Sequence, residues 1–261
     1  MKIFDSHCHL DDKSFDHDLD DIITRAHKAQ VIAIIIAGIN LKASQKAIRI
    51  ANAYENIYAS VGVHPHDVKN CNVNIIDILK GLVKKPKVRA WGEIGLDFNR
   101  MYSPKQIQED WFIRQLQAAD ELNLPLIFHE RESQGRFIEL LKQHTNPYRK
   151  AVVHCFSGDE NELVAYLEMG FYIGITGIIT IKKRGHNLRQ LAPMIPADRL
   201  LVETDAPYLT PMPHKNKTHR NEPAFVRNVI LTLADVRKED PEKLADIIWH
   251  NTCQLFNISK K

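Results

Sequence analysis

Eight short apolar runs of strand length alternate along the chain with segments of helical pattern, and this alternation limits the fold more than any other feature. The runs are Lys2–Phe4, Val31–Ala37, Tyr58–Val63, Val88–Trp91, Leu126–Phe128, Ala151–Val153, Tyr172–Ile175 and Leu200–Val202. Near-continuous apolar strands joined by helical crossovers predict a parallel sheet covered on its outer face. In 261 residues eight such units predict an α/β protein with a TIM-type (β/α)8 barrel, a single domain over residues 1–261. An open doubly wound sheet is the alternative, but it gathers its site at one switch point. Among the helices, Ser103-Pro104-Lys105-Gln106 reads as a capping box with proline at the first helical position. It opens a helix striped by Ile107, Trp111, Ala118 and Leu122. Phe225, Val229, Ile230 and Leu233 mark a later helix, and Asp240-Pro241 opens another carrying Leu244, Ile247, Ile248 and Leu255.

Metal-capable side chains fall at or just beyond the ends of these runs: His7, His9, Glu93, His129, His154 and Asp205. The strand C-termini of a barrel are where its active site gathers. His7 and His9 are two apart on an extended segment, so both rings leave the same face, and Cys8 should face the other way. A carboxylate such as Glu93, between the two halves of the set, can bridge two ions with its two oxygens. His7, His9 and Asp205 are then expected at one ion and His129 and His154 at the other, with Asp205 also taking the proton of a metal-bound water. Four imidazoles favour Zn, Mn, Co or Ni, whereas the carboxylates leave Mg open. Glu203, two before Asp205, shares its face and is expected to support a ligand. His64 and Arg131 are candidate contacts to an anionic substrate. His66, Asp97, Cys155 and Asn221 are read as loop or packing residues.

The formal charge of +3 is too small for a protein that coats nucleic acid by charge alone, so any basic patch must be local. Two loops qualify: Lys182-Lys183-Arg184 after the seventh run, and His214 to Arg220, with Lys215 and Lys217, after the eighth. Four cysteines far apart, Cys8, Cys71, Cys155 and Cys253, form neither a zinc-thiolate pattern nor a disulfide framework and fit a reducing, cytoplasmic setting. No secretory signal is readable, and the longest apolar stretch is too short to span a bilayer.

D-S-H-C-H-L-D, G-V-H-P-H, G-E-I-G-L-D, P-L-I-F-H-E-R, V-V-H-C-F-S-G, Y-I-G-I-T-G, L-V-E-T-D-A-P-Y-L and R-N-E-P follow one another in this order. Together they resemble the TatD-type metal-dependent deoxyribonucleases of the amidohydrolase-like barrels. The resemblance implies a two-metal centre on His7, His9, Glu93, His129, His154 and Asp205. It also implies hydrolysis of DNA, as a 3′-to-5′ exonuclease on single strands. The segment after the seventh run, T-G-I-I-T-I-K-K-R-G, lacks the Trp and acidic residues often seen there. Two other functions remain open: an amidohydrolase acting on an amide, lactone or organophosphate, and a barrel that binds nucleic acid or a protein without catalysis. Glu93 at the fourth strand, where many amidohydrolases use a carboxylated lysine, weighs against the first. A full ligand set weighs against the second.

Overall fold

The computed structural model describes residues 1–144 and 146–259. Thr145, Lys260 and Lys261, which the expected domain includes, lie outside the described residues. Eight strands form one parallel sheet in sequential order. They are β1 (Ile3–Cys8), β2 (Val31–Ile36), β3 (Ile57–Val61), β4 (Val88–Asp97), β5 (Leu126–Arg131), β6 (Ala151–Val153), β7 (Tyr172–Ile175) and β8 (Leu200–Val202). The helices between and after them are α1 (Leu19–Lys28), α2 (Leu41–Ala53), α3 (Ile75–Val83), α4 (Lys105–Glu121), α5 (Arg136–Gln143), α6 (Glu160–Glu168), α7 (His186–Leu191), α8 (Val226–Arg237) and α9 (Pro241–Leu255). This is the TIM-type barrel.

Two cores result. The larger lies between barrel and helices and includes Ile34, Val61, Ile94, Phe128 and Leu200. The smaller fills the barrel interior with Phe4, Ile35, Ala90, Ile127, Val152, Tyr172 and Leu201, and the end of α9 with the residues after it closes it through Leu255, Phe256 and Ile258. Each fully buried large side chain contributes roughly 1.5–3 kcal/mol, so the interior is packed and the open end is left to polar chemistry.

The seam between β8 and β1 is bridged partly by side chains. Asp5 accepts from the Thr204 amide at 2.8 Å and from its hydroxyl at 2.6 Å. The Ser6 hydroxyl donates to Val202 O at 3.0 Å. Backbone bonds run from Asp205 N to His7 O and from His9 N to Ala206 O.

Three expectations need correction. β4 does not stop at Trp91 but runs to Asp97, and β1 and β5 likewise extend through His7 and His129, so these ligand candidates lie inside strands. Polar and glycine residues end the apolar run, yet pairing of Ile94 to Asp97 with Phe128 to Arg131 keeps the backbone extended. Ser103 does not cap α4: it is buried, donates to His66 O and accepts from Lys69 N, leaving Pro104 at the cap. The apolar stripe of α4 is also displaced, since Ile107 and Leu122 are 36% and 38% exposed. Gln108 and Gln115, a seven-residue step apart, take the inner face because their amides bond both backbone groups of Asp97 and of Val63. These glutamines fix the ends of β3 and β4.

Candidate metal centre

β1 supplies the first pair of side chains through an irregularity. Phe4 belongs to the inner core and Cys8 to the outer one, although positions four apart on a regular strand share a face. A register shift between Asp5 and Cys8 reverses the alternation. The turn aims His7 and His9 into the barrel mouth, their Nε2 atoms 3.3 Å apart. Both Nδ1 atoms are buried and have no hydrogen-bond partner among the described residues.

Glu93 sits at the centre, 2% exposed, and divides its oxygens. Oε2 lies 3.4 Å from His7 Nε2 and 3.8 Å from His9 Nε2. Oε1 lies 2.8 Å from His129 Nδ1, 3.0 Å from His154 Nε2 and 3.4 Å from His64 Nε2. Asp205 Oδ1 approaches His9 Nε2 at 3.2 Å and His7 Nε2 at 3.6 Å. The structure thus brings together all six expected ligand candidates from β1, β4, β5, β6 and β8.

Glu93 is bracketed by Gly92 and Gly95, with φ of +147° and +149°. A Cβ on Gly95 would lie 1.8 Å from His129 O, so only glycine lets β4 pass this close to β5.

The electrostatics draw positive charge inward. Burial opposes ionisation of Glu93, but His154, His64 and His7 outweigh it and hold the carboxyl well below the usual range. Burial likewise opposes protonation of His154, yet Glu93 and Glu203 lift it well above an ordinary imidazole. Against the same burial, Asp205 and Glu93 raise His9 to about 9. Carboxylates that pull charge onto neighbouring imidazoles will pull a divalent cation into the same space. With imidazole and carboxylate atoms converging within 4.8 Å in several groups of three, the residues fit a metal.

Around the cluster, Glu203 Oε1 accepts from His154 Nδ1 at 3.1 Å and from Cys155 N, which turns His154 Nε2 toward Glu93. Asp97 Oδ2 contacts His129 Nε2 at 3.2 Å and His66 Nε2 at 2.7 Å. Sequence reasoning gave Asp97 and His66 a packing role; the structure puts both against a ligand candidate. His64 is buried beside Glu93. Its Nδ1 accepts the His66 amide at 3.1 Å, so the neutral ring carries its proton on Nε2, aimed at the centre. Burial and nearby His129 keep it neutral, with a pKa pushed down to about 3. Asn221 donates to Thr204 O and Tyr208 O and shapes the loop after β8.

The basic residues divide. Arg131 and Arg184 line the mouth beside His129 and Asp205. Lys182, Lys183, Lys215 and Lys217 are exposed and are not among the residues lining that mouth. Arg220, expected at substrate, is bound elsewhere: its guanidinium makes two bonds to Asp18 at 2.6 and 2.9 Å, one to Ser14 O, and covers the Phe15 ring. The charge is paired with Asp18, and Arg220 is not among the residues lining that mouth. Arg100, Tyr102 and Tyr208 also line the mouth; nothing in the local sequence marks Arg100 or Tyr102, and Tyr208 falls within L-V-E-T-D-A-P-Y-L without being singled out.

Residues 4–257 match the model of the family described as TatD related DNase. A relative from Escherichia fergusonii, named 3′-5′ ssDNA/RNA exonuclease TatD, is 42% identical, covering 98% of this chain and 100% of its own. One from Citrobacter rodentium with the same name is 41% identical over 99% of each. The crystal structure of a TatD homologue from Escherichia coli K12 superposes with a TM-score of 0.91 at 30% identity, over 98% of both chains. A phosphotriesterase homology protein from Escherichia coli, 17% identical with a TM-score of 0.67 over 98% of both chains, shares the fold. The chain belongs to the TatD related DNase family of metal-dependent hydrolases.

Proposed function

We propose that this protein is a 3′-to-5′ exonuclease on single-stranded DNA and RNA that works with two divalent ions, which Glu93 would help to hold. The observation that carries this is the division of the Glu93 oxygens between His7 and His9 on one side and His129 and His154 on the other. The names of the full-length relatives supply the substrate class and add RNA to the DNA expected from sequence. His7, His9 and Asp205 would hold one ion, His129 and His154 the second. The bound ions, Zn, Mn or Mg, would supply a water acidic enough to ionise near neutral pH and would polarise the phosphoryl group.

The chain's own residues do the rest. Asp205 lines the cavity and accepts the proton of the attacking water at its carboxylate. The His64 Nε2–H donates to a non-bridging phosphate oxygen. Glu203 and Asp97 keep His154 and His129 oriented. Arg131 and Arg184 hold neighbouring phosphates. The whole chain acts as one barrel unit. Among the described residues no helix is long and apolar enough to cross a membrane. Cys8, Cys71 and Cys155 stand as thiols, in keeping with work in the cytoplasm.

The test combines metal analysis of purified protein with a 5′-labelled single strand and a panel of divalent ions. Progressive shortening from the 3′ end, abolished by chelation and restored by metal, is expected. Hydrolysis of amides or lactones with oligonucleotides left intact would defeat the reading.

Charge and grip can be separated in the same assay. Replacing Arg131 and Arg184 by Gln is expected to flatten the salt dependence of oligonucleotide binding by roughly 0.7 log units for each phosphate no longer held. Arg220→Gln should leave that slope unchanged and lower the melting temperature instead, because its partner is Asp18. A flattened slope in Arg220→Gln would return that residue to the substrate path.

A further inference from the structure

Two tyrosines stand half exposed at opposite sides of the mouth. Tyr102 follows β4 and Tyr208 follows β8, strands half a turn apart in an eight-stranded barrel, and each is 53% exposed. Both line one cavity of about 830 Å³ that also includes His9, Glu93, His129 and Asp205. Neither ring is loose. Tyr102 meets His66 at a centroid distance of 4.7 Å and an angle of 69°, and Tyr208 meets His9 at 5.8 Å and 64°. His66 is in turn held by Asp97, and the Tyr208 carbonyl by Asn221. An edge-to-face contact fixes a ring while leaving it surface to offer another ring.

Charge gives this cavity a direction. Arg100, Arg131 and Arg184 are among its lining residues, and of its four carboxylates Glu93, Asp97 and Asp205 belong to the candidate metal centre, where bound cations would offset them, leaving Asp67. The adjoining lobe, about 570 Å³, shares Arg131 and Arg184 but is edged by Glu130, Glu132, Asp159 and Glu162. The Asp159 and Glu162 carboxylates already accept the Asp159 and Glu162 amides at the start of α6, so that helix end presents two carboxylates to a phosphate. A polyanion is therefore turned away from the acidic lobe and toward the one with the tyrosines.

We propose that Tyr102 and Tyr208 are stacking platforms for the nucleobases on either side of the scissile phosphodiester, with Arg100, Arg131 and Arg184 taking the phosphates. This rests on the nuclease reading of the metal centre and adds how the substrate is chosen. Every base has a π face, so stacking is tolerant of sequence. Duplex bases already stack on their neighbours, so only a single strand, or an end that has opened, presents faces to both rings. The preference for single strands then resides in two side chains outside the ligand cluster.

The experiment uses metal-loaded protein and oligonucleotides that carry either ordinary bases or abasic sugars at the two 3′-terminal positions. The wild type is expected to favour the intact strand by on the order of tenfold in kcat/KM per base. Tyr102→Ala and Tyr208→Ala should each lose that preference at one position, through KM. Phe at either position should retain it. A second readout does not depend on turnover: fluorescence of 2-aminopurine at the 3′ terminus or next to it, in a strand with a phosphorothioate at the scissile link. Quenching by wild type and the Phe variants, lost in one Ala variant for each probe position, supports the platforms. Equal hydrolysis of intact and abasic strands by wild type, or quenching unchanged in both Ala variants, overturns them. Tyrosine-dependent quenching without cleavage of any strand would instead overturn the nuclease reading and leave the platforms standing as a binding site.

Discussion

Asp205→Asn is expected to lower turnover by on the order of a hundredfold or more, the range of a lost general acid–base group, while oligonucleotide affinity changes little. Two properties of Asp205 combine to give this result. Its carboxylate approaches both His7 and His9, so the amide weakens a ligand; and it lines the cavity where an attacking water would stand, so the amide cannot take up a proton. It can take up a proton only if it stands ionised. Burial opposes ionisation, but His9, His154 and His7 hold the carboxyl below its ordinary value. Single-turnover hydrolysis and anisotropy of the same labelled strand check the prediction. Normal turnover with the metal still bound would take Asp205 out of proton transfer. Glu93→Gln, by contrast, should lose metal before it loses anything else, because the amide cannot serve both sides of the cluster as an anion.

The second large effect is structural. Gly95→Ala places a Cβ against the His129 carbonyl, with O and C at 1.8 and 2.8 Å, and both are backbone atoms in a paired strand. Neither can swing aside. Separating β4 from β5 there should cost on the order of 4 kcal/mol and lower the melting temperature by roughly 10 °C. Metal occupancy should fall as well, since His129 rides on the strand that is pushed. Gly81→Ala is the control: it lies inside α3 with nothing within 4 Å of the added carbon and should hold or slightly raise stability. Equal melting temperatures for the Gly95 variant and the wild type would mean that β4 and β5 can part without loss.

The barrel is legible in the sequence because its strands are buried on both faces and read as unbroken apolar runs, down to three-residue β6 and β8. What lies just past those runs is harder to read. The apolar run breaks at Gly92 and Glu93 while the strand continues, because Ile94 and Leu96 stand isolated among glycine and acidic residues and the backbone there is held by pairing and by Gln108. The ligand candidates stand out because each is a costly group to bury. Asp97 is as costly, but one carboxylate behind another in G-E-I-G-L-D carries no mark of which histidine it will meet. The register shift in β1 leaves no trace in D-S-H-C-H; the even spacing of the histidines is enough to predict a shared face without it. Arg220 illustrates the reverse difficulty. A basic run after β8 has the composition of a phosphate grip, and only the fold reveals that Asp18, far away in sequence, has already claimed it.

Closure of the barrel has a consequence in time as well as in space. His7 lies on the first strand, His9 just beyond it and Asp205 just beyond the last, and the seam joining them is bridged in part by Asp5 reaching Thr204. A ribosome releases the first two donors long before the third, and in between the emerging chain can neither complete the cluster nor complete the cylinder. On the proposed reading, a cleaving centre made in the presence of messenger RNA stays inert until β8 has emerged, and it is armed by the same docking of β8 that closes the cylinder.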